Sequence, residues 1–281
     1  MQKTDNADML QLKILLIALG VVVAMLAILF AVIFQPAPES EVQATQPPAP
    51  TAAPLMPNPY GPEDFQEVDG YLACVTGPYS MGVDVSEFQG TIDWEKAKEA
   101  GVEFVLIRVG GRGWGAEGKL YADRAAQGYY EGAKKAGLQV GAYFFSQAVS
   151  VAEALEEAQL TLSLLEGWEL DLPVVFDWEY INSTARTANV QARMLTDCAL
   201  AFCGAVEAAG LKAMVYFNPS QAADRMYLEE LTMYSFWLAM YNAPMNYPYA
   251  VDYWQYSRFG SVPGIKGDVD MILHLPERPI A

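Results

Sequence analysis

The chain has 281 residues, 53% of them hydrophobic and only 18% charged, with a formal net charge of −17. So acidic a chain lacks the basic footprint that phosphates require, and no nucleic-acid partner is expected. With a single histidine, His274, a multi-histidine metal site, a histidine base or a histidine triad is nearly excluded by count, and acid–base work falls to carboxylates.

Residues 1–13 precede Ile14–Phe34, a run of 21 residues without a charge. At about 1.5 Å per residue such a helix spans roughly 30 Å, the hydrocarbon thickness of a bilayer. It has no polar face, so it reads as a membrane anchor; a cleaved signal peptide is the alternative. Lys3 and Lys13 precede the span and the next basic residue is Lys96. That asymmetry predicts a single-pass protein with residues 1–13 in the cytoplasm and the rest outside. Residues 35–59 carry eight prolines and form an extended linker. Residues 60–80 are a pre-domain segment in which Tyr71–Val75 has strand character, and residues 81–281 form the main domain.

From Met81 onward, apolar runs of strand length alternate with helical patterns. Met81–Val85 precedes a helix over Asp93–Gly101. Phe104–Val109 precedes a glycine-rich loop and a helix ending at Gly137. Val140–Phe145 leads to a helix near Val151–Leu165, Leu172–Trp178 to one near Val190–Ala209, and Lys212–Phe217 to a short one near Gln221–Leu228. Gly101, Gly137 and Gly210 stand where left-handed caps end helices. Three runs without long helices come next: Phe236–Tyr241, Asp252–Tyr256 and Val269–Leu273. Five β–α units and three further strands predict an α/β fold with a largely parallel sheet closed into a barrel; an open doubly wound sheet is the alternative. Cys74, Cys198 and Cys203 make no disulfide framework and are expected to be buried thiols.

The strongest chemical signal is LPVVFDWEY, residues 172–180. A buried strand ends in Asp177 and Glu179, which share a face because side chains alternate. Carboxylates this close do not ionise independently, and the raised pKa of one prepares a general acid. An acidic pair also solvates strand ends or holds cations, but the C-terminal ends of barrel strands face the active site. Asp84 ends the first strand and Asp270 lies in the last, neighbours in a closed barrel, so both are expected to converge on the pair. Aromatic residues at the same strand ends, Tyr143, Phe145, Tyr216, Trp237, Tyr241, Trp254 and Tyr256, are candidates to line a sugar-binding groove. No metal or cofactor is called for.

Several segments in this order resemble glycoside hydrolase family 25, the Chalaropsis-type lysozymes, over about residues 81–275. They are GVDVSEFQG with Asp84, FVLIRVG, VGAYFFSQA, LPVVFDWEY, WLAMY and WQYSRFGSVPGIKGDVDM with Asp270. The resemblance implies an irregular TIM-like (βα)5β3 barrel that hydrolyses the β-1,4 bond from N-acetylmuramic acid to N-acetylglucosamine in peptidoglycan. It implies that Glu179 is the general acid/base. Asp177 would orient and stabilise the 2-acetamido group of the substrate, with Asp84 and Asp270 completing the acidic site. Tyr143, Tyr216, Tyr241 and Trp254 are the expected supporting aromatics. Two positions depart from the pattern: many relatives have His where Phe144 stands and Asn where Ile272 stands. A chitinase-like hydrolase and a non-catalytic glycan-binding or structural barrel are the alternative functions.

Overall fold

The computed structural model describes residues 53–276. The expected membrane span 14–34, the residues before it and most of the proline-rich linker lie outside the described residues. Among the described residues no helix is long and apolar enough to cross a membrane. Two short strands, β1 (Phe65–Val68) and β2 (Tyr71–Cys74), form an antiparallel hairpin. The main sheet begins with β3 (Ser80–Val85), β4 (Phe104–Arg112), β5 (Leu120–Ala122), β6 (Gln139–Ser146), β7 (Val174–Trp178) and β8 (Ala213–Phe217). It ends with β9 (Ser235–Ala239), β10 (Tyr253–Gly260) and β11 (Val269–His274). Five helices interleave: α1 (Trp94–Glu99), α2 (Ala126–Ala136), α3 (Val151–Leu164), α4 (Ala192–Ala208) and α5 (Pro219–Asp224).

Strands β3, β4, β6, β7, β8, β9 and β10 pair in parallel in that order. Strand β11 runs antiparallel to both β10 and β3, and that pairing closes the barrel. The expected order of five β–α units and three strands is the observed one, and the open sheet is not. The glycine-rich loop after β4 differs from expectation, because part of it folds back as β5 on the end of β4. The short helix expected near Gln221–Leu228 instead starts at Pro219, where Asn218 and Gln221 form a reciprocal cap, and stops at Asp224. The three expected cap glycines all have positive φ, with Gly137 left-handed at φ 75° and ψ 32°.

Side-chain alternation divides the core in two. In β4, Phe104 and Leu106 belong to the cluster inside the barrel, whereas Val105, Ile107 and Val109 belong to the layer under the helices. In β7, Val175 faces inward and Val174, Phe176 and Trp178 face outward. Phe144 is outward too, with its ring 6.3 Å from that of Phe202 on α4, so the departure from the family pattern there falls on the packing layer. Ile272 is wholly buried inside the barrel, between Gly82 of β3 and Gln255 of β10. A Cβ at Gly82 would run into the Phe104 ring, so glycine is what lets that ring fill the barrel floor.

Strands β9 to β11 are not followed by long helices, so their outward residues need another cover. The residues before β3 supply it. Met56 O accepts from Ala250 N, Asn58 N donates to Pro248 O, and Pro57 bridges Tyr249. The Phe65 ring meets the Trp254 ring edge-on at 5.0 Å. The Tyr60 and Tyr71 hydroxyls donate to Pro276 O and Ser261 O, each at 3.1 Å. Residues 53–59, expected to belong to the extended linker, are thus laid against the barrel, and the hairpin within residues 60–80 is a separate two-stranded sheet packed on its outside. Phe65→Ala removes a half-buried ring and is expected to cost about 2 kcal/mol, lowering the melting temperature by roughly 4–8 °C in a thermal melt.

Candidate active site

The inward rows of the strands end in polar residues at the C-terminal mouth of the barrel. Val175 is followed on the same face by Asp177 and then Glu179, and Leu106 by Arg108. On β3 and β11, Asp84 and Asp270 are directly paired across the sheet. These four carboxylates line one pocket of about 370 Å³ with Arg108, Tyr143, Phe145, Tyr216, Asn218, Trp237, Tyr241, Gln255 and Arg258. That volume suits a small ligand or a few sugar residues of a longer one.

The end of β7 is held by side-chain amides. Glu179 lies one residue beyond the strand, and its carbonyl accepts from Gln147 Nε2 at 2.8 Å. The Trp178 carbonyl accepts from Gln221 Nε2 at 2.6 Å, and the Trp178 indole donates to Ala148 O at 3.1 Å. Gln147 is itself fixed by Thr187 Oγ1, which donates to its Oε1 at 3.1 Å. On the other side, Tyr241 OH donates to Gln255 Oε1 and Gln255 Nε2 donates to Asp84 Oδ2, both at 2.6 Å. Arg108 Nε and Nη2 both reach Asp123 Oδ2 at 2.8 Å. Two polar atoms of pocket-lining residues are buried without a hydrogen-bond partner among the described residues: the acceptor Asp177 Oδ1 and the donor Trp237 Nε1. Such groups are costly unless something satisfies them, which makes them candidate ligand contacts.

Burial raises the proton affinity of all four carboxyls, and their mutual repulsion adds to it. Glu179 is pushed up to about 7 by burial and by Asp270. Asp270 rises to about 6 by burial, against the pull of Arg258. Asp177 lies well above the usual carboxylate range through burial, Glu179 and Asp84, with Arg108 opposing. Asp84 is raised by burial and Asp270, with the Gln255 hydrogen bond opposing. Protons leave such a cluster as from a set, so near neutral pH it holds both acid and base forms.

Of the expected site residues, Asp84, Asp177, Glu179, Asp270, Tyr143, Tyr216 and Tyr241 meet in this pocket. Trp254 does not, which corrects the expectation for it. Gln255 takes the inward position on β10, so Trp254 and Tyr256 face outward, where the Trp254 indole donates to Met240 O at 2.9 Å. Even spacing showed that the two aromatics share a face but not which one. Arg108, Asn218, Gln255 and Arg258 were not anticipated. A charged residue within FVLIRVG was the available signal for Arg108, and the polar residue between Trp254 and Tyr256 was the signal for Gln255.

Hydrolysis of a glycosidic bond requires one carboxyl that is protonated near neutral pH and a second group to meet positive charge on the sugar. A closed barrel with such a pair at its mouth has the groups that a glycoside hydrolase needs. The model of the glycosyl hydrolases family 25 matches residues 83–265, and the chain belongs to that family. It is 28% identical over 193 residues to an autolytic lysozyme of Clostridium acetobutylicum, covering 68% of this chain and 54% of the relative. It is also 28% identical over 201 residues to lysozyme M1 of Streptomyces globisporus, covering 68% of this chain and 66% of that one. The chain thus spans about half the length of the first and 66% of the second. Among solved structures, the bacterial lysozyme of Streptomyces coelicolor superposes with a TM-score of 0.54 at 27% identity, covering 70% of this chain and 92% of that one.

The raised carboxyls make stability depend on pH in a defined sense. Glu179 and Glu157 rise from 4.5 to about 7 and Asp270 from 3.8 to about 6, so between those limits the folded chain holds more protons than the unfolded one. Stability therefore falls as pH rises through that window. The lowered groups Asp93, Glu153 and Asp171 act at more acid pH, and His274, lowered by burial, opposes with a single group. Thermal melts are expected to show a higher midpoint at about pH 5.5 than at about pH 8, with a smaller difference in Glu179→Gln.

Proposed function

We propose that the chain is a lysozyme, an N-acetylmuramidase that cuts the β-1,4 bond from N-acetylmuramic acid to N-acetylglucosamine in peptidoglycan. The observation that carries this reading is Glu179: a half-buried carboxyl at the barrel mouth, beside Asp177 and Asp270, whose pKa burial and Asp270 push up to about 7. In this role it gives its proton to the glycosidic oxygen as the bond breaks, then as carboxylate takes a proton from the attacking water. Asp177 Oδ1, buried and without a protein donor, suits the N–H of a 2-acetamido group. Holding that N–H turns the acetamido oxygen toward the anomeric carbon, where it stabilises the developing positive charge. Trp237 Nε1 offers a donor in the same pocket, and the Tyr143, Tyr216 and Tyr241 rings offer apolar faces to the sugar. Asp84, locked by Gln255, and Asp270 hold the proton affinity of the pair high.

The family relationship supports the reading, and the named relatives are lysozymes. The activity is placed outside the cytoplasm, on a single-pass anchor at residues 14–34, on the strength of the uncharged run and the absence of Lys or Arg between Lys13 and Lys96.

Purified peptidoglycan treated with the enzyme, reduced with borohydride and analysed by mass spectrometry is expected to yield new muramitol ends. Glucosaminitol ends instead would mean that a different bond is cut. Glu179→Gln is expected to lose roughly 10²- to 10⁴-fold in turnover while remaining folded, and retained turnover would remove Glu179 from its role. Activity should fall as pH rises through about 7, as the acid deprotonates. In carbonate-washed membranes the full chain should stay in the pellet and a chain lacking residues 14–34 should not.

A further inference from the structure

Strand β10 slips twice against β11. Its register advances two residues for one between Gln255 and Ser257, and three for two between Ser257 and Gly260. Plain alternation from the inward Gln255 would send residue 258 outward, with Trp254 and Tyr256. A bulge inserts one residue and re-aims the side chains beyond it, and Arg258 lines the active-site pocket on the same side as Gln255. The first slip, which lies before residue 258, thus resets the alternation and turns a cation into the cleft.

That cation is held in no close ion pair, although its charge reaches Asp270 and lowers the proton affinity of that carboxyl. Arg108, the other cation of the pocket, is tied to Asp123 at 2.8 Å and lies 3.7 Å from Glu87. Arg258 forms no ion pair with any carboxylate among the described residues. Its guanidinium is steadied by rings instead, 5.7 Å from the centre of Tyr241 and 5.1 Å from that of Phe259. Around it lie four carboxylates, in a chain of net charge −17. An anionic ligand entering this cleft meets repulsion unless a cation stands on its path. The planar, ring-held fork of an arginine is matched to a carboxylate.

We propose that Arg258 is a specificity-determining residue that receives a carboxylate borne by the glycan, so that the cleft prefers chains with muramyl residues over neutral N-acetylglucosamine chains. The inference rests on the peptidoglycan reading above. The carboxylate has two sources: the lactyl ether of muramic acid where it is free, or the peptide stem where the lactyl group is amide-linked.

The test uses the full-length chain carrying Glu179→Gln, so that ligands stay intact, and measures affinity by calorimetry. One ligand pair is an alternating tetrasaccharide with free lactyl carboxylates and its methylamide. The other is the tetrasaccharide bearing an alanyl-glutamate dipeptide and its fully amidated form. The charged member of at least one pair is expected to bind more tightly. Adding Arg258→Gln should cut that preference roughly tenfold, and Arg258→Lys should keep part of it. Preference in the first pair assigns the lactyl group, and preference in the second assigns the stem. The proposal is overturned if the neutral ligands bind and neither charged partner is preferred, or if Arg258→Gln leaves the preference within about twofold. Binding of none of the four ligands would sink the peptidoglycan reading, and this proposal with it.

Discussion

Closure of the barrel through β11 is the constraint on which the rest of the structure depends. Seven strands run in parallel, and the eighth returns antiparallel between β10 and β3. That single reversal puts Asp270 directly opposite Asp84, and it forces the first and last thirds of the domain to share one wall. Closure also fixes which face of each strand looks inward, because an edge-free sheet has only an inside and an outside. The inward rows must then change character along their length. They are apolar and aromatic through the barrel and polar where they reach the C-terminal mouth. Asp177 and Glu179 are the clearest case, continuing the row that Val175 begins.

The mouth trades stability for reactivity. Four carboxyls are gathered where burial and mutual repulsion disfavour their ionised forms, and only Arg108 is buried with them as a countercharge. The fold tolerates this because the backbone around the cluster is held independently of it. Gln147 and Gln221 hold the end of β7 by its carbonyls. Beneath Gln147, the buried Glu157 is bound by Arg112 Nε at 2.7 Å and Ser146 Oγ at 2.5 Å. A change in the charge of Glu179 therefore acts on a backbone already pinned from behind.

Most of the barrel was legible in the sequence because period-two and helical patterns alternate cleanly from Met81 to Leu273. The acidic pair was legible because two carboxylates at the end of an apolar strand have no packing use. Elsewhere the local pattern was weak or ambiguous. Strand β5 has only three residues within a glycine-rich stretch, too short to show a period. The β1–β2 hairpin did have a signal, since Asp69 and Gly70 make a two-residue turn with φ of 51° and 85°, but β1 is mostly exposed and lacks an apolar row. Trp254 faces outward, against expectation, because alternation gives relative phase only. Arg258 was out of reach altogether, since a bulge resets that phase and leaves no mark in a single sequence.

The segment covering β10 also has a mechanical meaning. It lies in series between the N-terminal side of the chain and β3, so tension applied from that side reaches it before any barrel strand. The Ala53 carbonyl, which accepts from Thr232 Oγ1, takes the load first, the pairs at Met56–Ala250 and Asn58–Pro248 follow, and the Phe65–Trp254 contact comes after them. Only after these part does force arrive at β3 and Asp84. The covering segment is therefore a sacrificial link, which yields under strain while the closed barrel and its carboxylates keep their shape.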